Sequence, residues 1–234
     1  MVSNLQRELL PRELPAVPGL TLAEHYETSR YAGGDYYDAV ALPDGRCGLL
    51  VADSEGHSAP ATVMMAMTCA LFRACPELHA EPDRVLAYIN ANLCKVNRES
   101  FVTAIYAVVD PRERVMRIAR AGHPLPILLR PAEGRAKEIA CDGVFMMGFD
   151  PYDRVPVTEV RLEAGDRLLF YTDGVSERFN PDRQPYGEER ICRCMGLPAA
   201  GPADLVAALM QDLEAFAGGR PADDDQALLM AFVD

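Results

Sequence analysis

Three stretches of this chain are apolar almost throughout, and each meets aspartate at one end. Residues 47–52 (CGLLVA) run into Asp53, residues 168–172 (LLFYT) run into Asp173, and residues 227–233 follow Asp223, Asp224 and Asp225. A strand with one face in water alternates polar and apolar residues. Strands that do not alternate must be covered on both faces. Further strands are expected at 20–26, 36–42, 101–109, 114–121, 125–129 and 157–162, with helices at about 60–74, after Asp83 as N-cap, and at 203–217. The order is strands, two adjacent helices, a run of strands, one helix and a last strand. That is an α+β pattern and disfavours a doubly wound sheet. Two sheets packed face to face, with helices outside, would bury the apolar strands on both sides.

Composition narrows the function. Among 234 residues, 35 Asp and Glu stand against 23 Lys and Arg, a net charge of −12, which makes a poor nucleic-acid binder. The first twenty residues carry Arg and Glu where a signal peptide needs an apolar core. The longest uncharged stretch, 59–72, falls short of the ~20 residues of a membrane span. Seven scattered cysteines without a C-x-x-C pair suit reduced thiols, and the expected location is cytoplasmic, with no membrane partner. Cys192 and Cys194 are the one pair that spacing offers as redox or metal partners. Residues 3–10 suggest a short amphipathic helix ending at Pro11. This divides the chain into an N-terminal linker helix with a Pro-rich bridge (1–19) and one domain (20–234).

The sequence lacks G-x-x-x-x-G-K-[ST], G-x-G-x-x-G after a strand, H-E-x-x-H and G-x-S-x-G, so those nucleotide-binding and hydrolase classes lose their support. What remains is a set of acids at strand ends: Asp35 and Asp38 in GGDYYD, Asp53, Asp173 and the run 223–225. Gathered carboxylates repel one another and raise each other's pKa unless cations sit between them. All-oxygen ligation suits Mg²⁺ or Mn²⁺. Taken singly, each acid also has a structural reading: Asp173–Gly174 as a hairpin turn, Asp35 as a turn residue, 223–225 as a solvated loop.

GGDYYD, ADSEGHSAPA, FVTAIYAVVD, AGHPLPILL, GDRLLFYTDGVSE and DDDQALL occur in the order of the motifs of PPM-type (protein phosphatase 2C-like) metal-dependent phosphatases. The chain most resembles the bacterial SpoIIE/RsbU branch over residues 20–234. The resemblance implies an αββα sandwich of two mainly antiparallel sheets and two Mn²⁺ or Mg²⁺ ions. Asp53 would bridge them, and Ser54 would offer its backbone carbonyl. Asp35, Asp173 and Asp224 would complete the metal set, with Asp223 and Asp225 open as alternatives in register. The implied chemistry is direct attack of metal-activated water on a phosphoserine or phosphothreonine. The implied substrate is a phosphorylated STAS-type anti-sigma-factor antagonist in a partner-switching pathway. An upstream receiver or sensor domain and a homodimer are further expectations.

The chain departs from the family's D-V-S-G-H-G block, carrying Asp53-Ser54-Glu55-Gly56-His57-Ser58. Ser58 replaces a flexible glycine, and Glu55 adds a carboxylate. His57 has two readings, proton donor to the leaving oxygen or a loop histidine bonded to backbone. Arg120 stands where the branch often has Asn, either as a phosphate contact or as a surface side chain. His123 reads as structural, and Met64, Met65 and Met67 read as core. Residues 144–152 (VFMMGFDPY) suggest a flap near substrate. Two alternatives to the phosphatase remain: a non-catalytic binding module and a hydrolase of small phosphoesters.

Overall fold

The computed structural model describes residues 7–29, 33–56, 59–96 and 100–234. Two five-stranded antiparallel sheets form its centre. One contains β1 (Leu20–Glu27), β10 (Gln226–Val233), β9 (Arg167–Tyr171), β6 (Ile127–Arg130) and β7 (Arg135–Glu138), in that order. The other runs β2 (Tyr36–Ala41), β3 (Cys47–Ser54), β4 (Val102–Asp110), β5 (Val115–Ala121) and β8 (Val157–Arg161). Helices α1 (Ala59–Arg73) and α2 (Pro82–Val96) cover the second sheet. A helical turn α3 (Asp173–Ser176) follows β9, and α4 (Glu188–Met195) and α5 (Pro202–Ala217) cover the first sheet. The result is the expected αββα sandwich.

The period of two along a strand explains why the apolar runs do not alternate. On β9, Leu168 and Phe170 enter the core between the sheets, while Leu169 and Tyr171 enter a second core beneath α4 and α5. On β10, Leu229, Ala231 and Val233 face inward, whereas Leu228 and Met230 face the helices. On α1, Ala61, Met64, Met65, Thr68, Cys69 and Phe72 are buried at helical spacing, which accounts for the methionine cluster as core. Asp83, expected as the N-cap, lies instead within the first turn of α2, which begins at Pro82, and there its charge complements the helix dipole. Ahead of β1, Leu10 and Val17 join the core, and Arg73 donates to the Leu9 carbonyl at 2.7 Å. Of the expected N-terminal helix over 3–10, residues 3–6 lie outside the described residues.

Elements β7 and α4 were not anticipated. Strand β7 (RAKE) is a four-residue polar edge strand with no apolar pattern. The buried Ile191, Cys194 and Met195 of α4 do follow helical spacing and were a usable signal. Cys194 contacts the Tyr186 hydroxyl at 3.3 Å, while Cys192, two residues earlier and so on another face of the helix, lines a cavity beside β7. This geometry removes them as a redox or metal pair; among the described residues the cysteines are free. Within the described residues no helix is long and apolar enough to cross a membrane.

Candidate metal centre

Sheet register brings the acids together. Tyr36 pairs with Ala52, so Asp35 and Asp53 face each other at the end of the β2–β3 ladder, where the charge of Asp53 acts on Asp35. In the opposing sheet, Leu228 pairs with Tyr171, which sets Asp173 and the acidic run at the adjoining ends of β9 and β10. Thr172 links the sheets: its hydroxyl donates to Asp35 Oδ2 at 2.6 Å and accepts from Ala227 N at 3.0 Å, and its amide donates to the Ala227 carbonyl at 2.9 Å.

The three acids of the run have different environments. Asp223 is exposed and pairs with Arg220 at 2.8 Å. Asp225 is buried; its Oδ1 accepts from Ser29 N and its Oδ2 from Gly34 N, both at 2.8 Å, which staples the β1–β2 connection to β10. Asp224 is the member of the run whose charge acts on both Asp53 and Asp173. Asp38, grouped with these acids on sequence, points elsewhere. It lies within β2 and is held by Arg73 at 3.1 Å and by the Tyr36 hydroxyl.

Burial, followed by the charges of Asp53 and Asp225, pushes the Asp35 carboxyl well above the usual range. Burial and then Asp173 and Asp224 raise Asp53 to about 8. Burial and then Asp224 and Glu177 raise Asp173 to about 6. The sequence expectation that these carboxylates disturb one another therefore holds.

The donors expected from the sequence, carboxylate oxygens with the Ser54 carbonyl, would suit a hard cation. The backbone around that carbonyl is tight, since a Cβ on Gly34 would lie 2.4 Å from Ser54 O. Among the described residues no three carboxylate, imidazole or thiol side chains are grouped closely enough to enclose an ion by themselves. Mg²⁺ commonly takes only one or two carboxylates and keeps several waters, so acids arranged in pairs still fit it.

These carboxyls make a testable contribution to stability. Folded Asp53 and Asp173 hold protons that an unfolded chain releases near pH 4. Their contribution to stability is therefore present at low pH and lost as pH rises through about 6 and then about 8. In chelator, the urea midpoint should fall between pH 7 and 8.5, and less steeply in Asp53→Asn; equal slopes would refute this account. Added Mn²⁺ should restore the midpoint at pH 8.5.

The surroundings of the acids resolve other expectations. His57 and Ser58 lie outside the described residues. Glu55 is exposed, and its amide donates to the Phe101 carbonyl at 3.0 Å. Arg120 is neither a surface side chain nor aimed at the acids. It donates to the carbonyls of His123 at 2.9 Å and Cys141 at 3.4 Å, tying β5 to the following loops. His123 is buried with Nδ1 2.8 Å from the Thr103 hydroxyl, and burial pushes its pKa down to about 3, in keeping with a structural role. The stretch 144–152 exposes Phe145 and Phe149 but buries Met147, whose amide and carbonyl pair with Val102. Asn90 of α2 pins the same stretch, accepting from Gly148 N at 2.9 Å and donating to Asp150 O at 2.8 Å. Sequence reading missed Thr172, whose signal was a hydroxyl residue between an apolar strand and its terminal acid.

Two antiparallel sheets packed face to face between helices form a PP2C-like fold. The family model described as Stage II sporulation protein E (SpoIIE) matches residues 43–234, and the chain belongs to that family. The chain is 25% identical over 200 residues to the phosphoserine phosphatase RsbU of Bacillus subtilis, covering 82% of this chain and 59% of RsbU. It thus spans less than two thirds of the curated relatives it matches first. Its fold matches the RsbU and RsbW domains of a Mycobacterium tuberculosis protein with a TM-score of 0.80 at 27% identity, covering 97% of this chain and 63% of that one. It also matches the SiaA PP2C domain of Pseudomonas aeruginosa with a TM-score of 0.84 at 22% identity, covering 99% and 93%.

Proposed function

We propose that this chain is a metal-dependent protein-serine/threonine phosphatase acting on a phosphorylated STAS-type anti-sigma-factor antagonist. The observation that carries this reading is the meeting of Asp35 and Asp53 from one sheet with Asp173 and Asp224 from the other, in a family of serine phosphatases. These four side chains and the Ser54 carbonyl would hold two Mn²⁺ or Mg²⁺ ions. When bound, the ions supply an activated water and positive charge that neutralises the phosphoryl group.

The chain's own residues prepare the site. Thr172 fixes the orientation of Asp35 through its 2.6 Å hydrogen bond, Asp225 holds the Gly34 amide at 2.8 Å, and Gly34 packs tightly against the Ser54 carbonyl. His57, an imidazole of the kind that serves as a general acid near neutral pH, is the proposed proton donor to the leaving serine oxygen. An acidic protein would otherwise repel a dianionic phosphoester, so turnover should depend strictly on divalent cations. Action on phosphoserine follows the similarity to the phosphoserine phosphatase RsbU; the STAS-type antagonist is what the family resemblance implies. An upstream receiver or sensor domain and a homodimer belong to the same proposal, as does a cytoplasmic location.

The test is hydrolysis of p-nitrophenyl phosphate and of a phosphorylated STAS-domain protein with Mn²⁺, with Mg²⁺ and with EDTA. The expected result is metal-dependent turnover of both, lost in EDTA, with preference for the phosphoprotein. A preference for small esters would identify a small-phosphoester hydrolase instead. A folded, metal-loaded protein inert on both substrates would point to a binding module.

A further inference from the structure

Two acids of the proposed metal centre, Asp173 and Asp224, belong to separate segments that must be held at a fixed separation. Their backbones meet closely, since a Cβ on Gly174 would fall 1.8 Å from the Asp225 carbonyl oxygen. Close approach sets a minimum distance, but it does not by itself keep the two segments together. The 221–225 stretch is short of regular structure, sitting between the C-terminus of α5 and β10, and it needs a tether.

Arg178 supplies one. It follows the helical turn that begins at Asp173, and its side chain is buried. Its guanidinium donates to the Pro221 carbonyl at 2.6 Å and the Arg220 carbonyl at 2.5 Å, and meets Glu214 of α5 at 3.4 Å. On the backbone side, the Arg178 carbonyl accepts from the Tyr186 amide at 2.9 Å, which anchors the arginine to the segment leading into α4. Asp173, Glu177, Arg178, Asp223 and Asp224 line one cavity of about 80 Å³, so the tether borders the acids it would position. A planar guanidinium can hold two carbonyls at once in a fixed fork, whereas an ammonium acts as a point donor.

We infer that Arg178 is a positioning residue that sets the metal affinity of the centre by clamping the 220–225 loop, and with it Asp224, against the Asp173 turn. The inference rests on the proposed metal-dependent reading. Residues that orient metal ligands without touching the metal commonly contribute about 10–100-fold in affinity.

The experiment is calorimetric titration of the full chain with Mn²⁺, alongside hydrogen exchange at residues 221–226, for wild type, Arg178→Met, Arg178→Lys and Glu214→Gln. Arg178→Met should bind Mn²⁺ about 10-fold or more weakly and exchange faster in the loop, while its activity at saturating Mn²⁺ stays within a few-fold of wild type. Arg178→Lys should fall between the two. Glu214→Gln, which leaves both carbonyl bonds intact, should match wild type in affinity. If Arg178→Met does not fold, Arg178→Lys decides. Unchanged Mn²⁺ affinity in a folded Arg178 variant, with only a lower melting temperature, overturns the inference and leaves the phosphatase reading standing. Wild type that binds no Mn²⁺ overturns both.

Discussion

Asp53→Asn is expected to lower phosphatase turnover by at least about 10³-fold, equivalent to about 4 kcal/mol of transition-state stabilisation. Asp53 lies at the end of β3 opposite Asp35, and the charges of Asp173 and Asp224 from the other sheet act on it, so it is the acid most central to the cluster. Asparagine keeps the size and one oxygen but removes the negative charge that offsets a divalent cation. The same change relieves repulsion within the cluster, so the metal-free variant should be at least as stable as wild type near pH 8. The check is paired: steady-state kinetics with Mn²⁺, and urea unfolding in EDTA. Turnover within about 10-fold of wild type would remove Asp53 from the metal set. A large loss of stability would assign it a structural role instead.

The second large effect is expected from Gly174→Ala. Gly174 is in a helical turn at negative φ, where alanine is intrinsically favoured over glycine by about 1 kcal/mol. Packing reverses that preference. The added methyl would lie 1.8 Å from the Asp225 carbonyl oxygen, a backbone atom that cannot rotate away. The turn and the acidic loop must then separate, at a cost of about 3 kcal/mol or more. For a chain of this size the melting temperature should fall by about 6–12 °C. Mn²⁺ affinity should fall as well, because Asp173 and Asp224 move apart. Calorimetry with and without Mn²⁺ checks both, and a melting temperature equal to or above wild type would show that the loop yields at little cost.

Both predictions depend on features that differ in how readable they are from the chain. Asp53 and Asp173 are legible because each ends an apolar strand, and an apolar strand that delivers a charge at its end has few structural reasons to do so. Asp38 looked similar in GGDYYD, yet its partner Arg73 lies 35 residues away on α1, a contact no local pattern reports. Within DDDQ, composition cannot separate three neighbouring acids. Only the register of β10 against β9 and the amides of Ser29 and Gly34 distinguish the exposed Asp223, the buried staple Asp225 and the site-facing Asp224. The local signals also missed β7, because a short polar edge strand is stabilised by its partner β6 rather than by a pattern of its own.

The αββα architecture and the identity of most strands follow from residue patterning, because burial on both faces leaves its mark along each strand at a period of two. The acids at strand ends are visible for the same reason. Their grouping across two sheets, the Thr172 link, the Gly174 contact and the Arg178 clamp are tertiary facts. Each joins residues far apart in the chain: 42 positions separate Arg178 from Arg220, and 137 separate Asp35 from Thr172. Periodicity describes what one segment must bury; it carries no term for which distant segment will meet it, and that meeting decides where the charges converge.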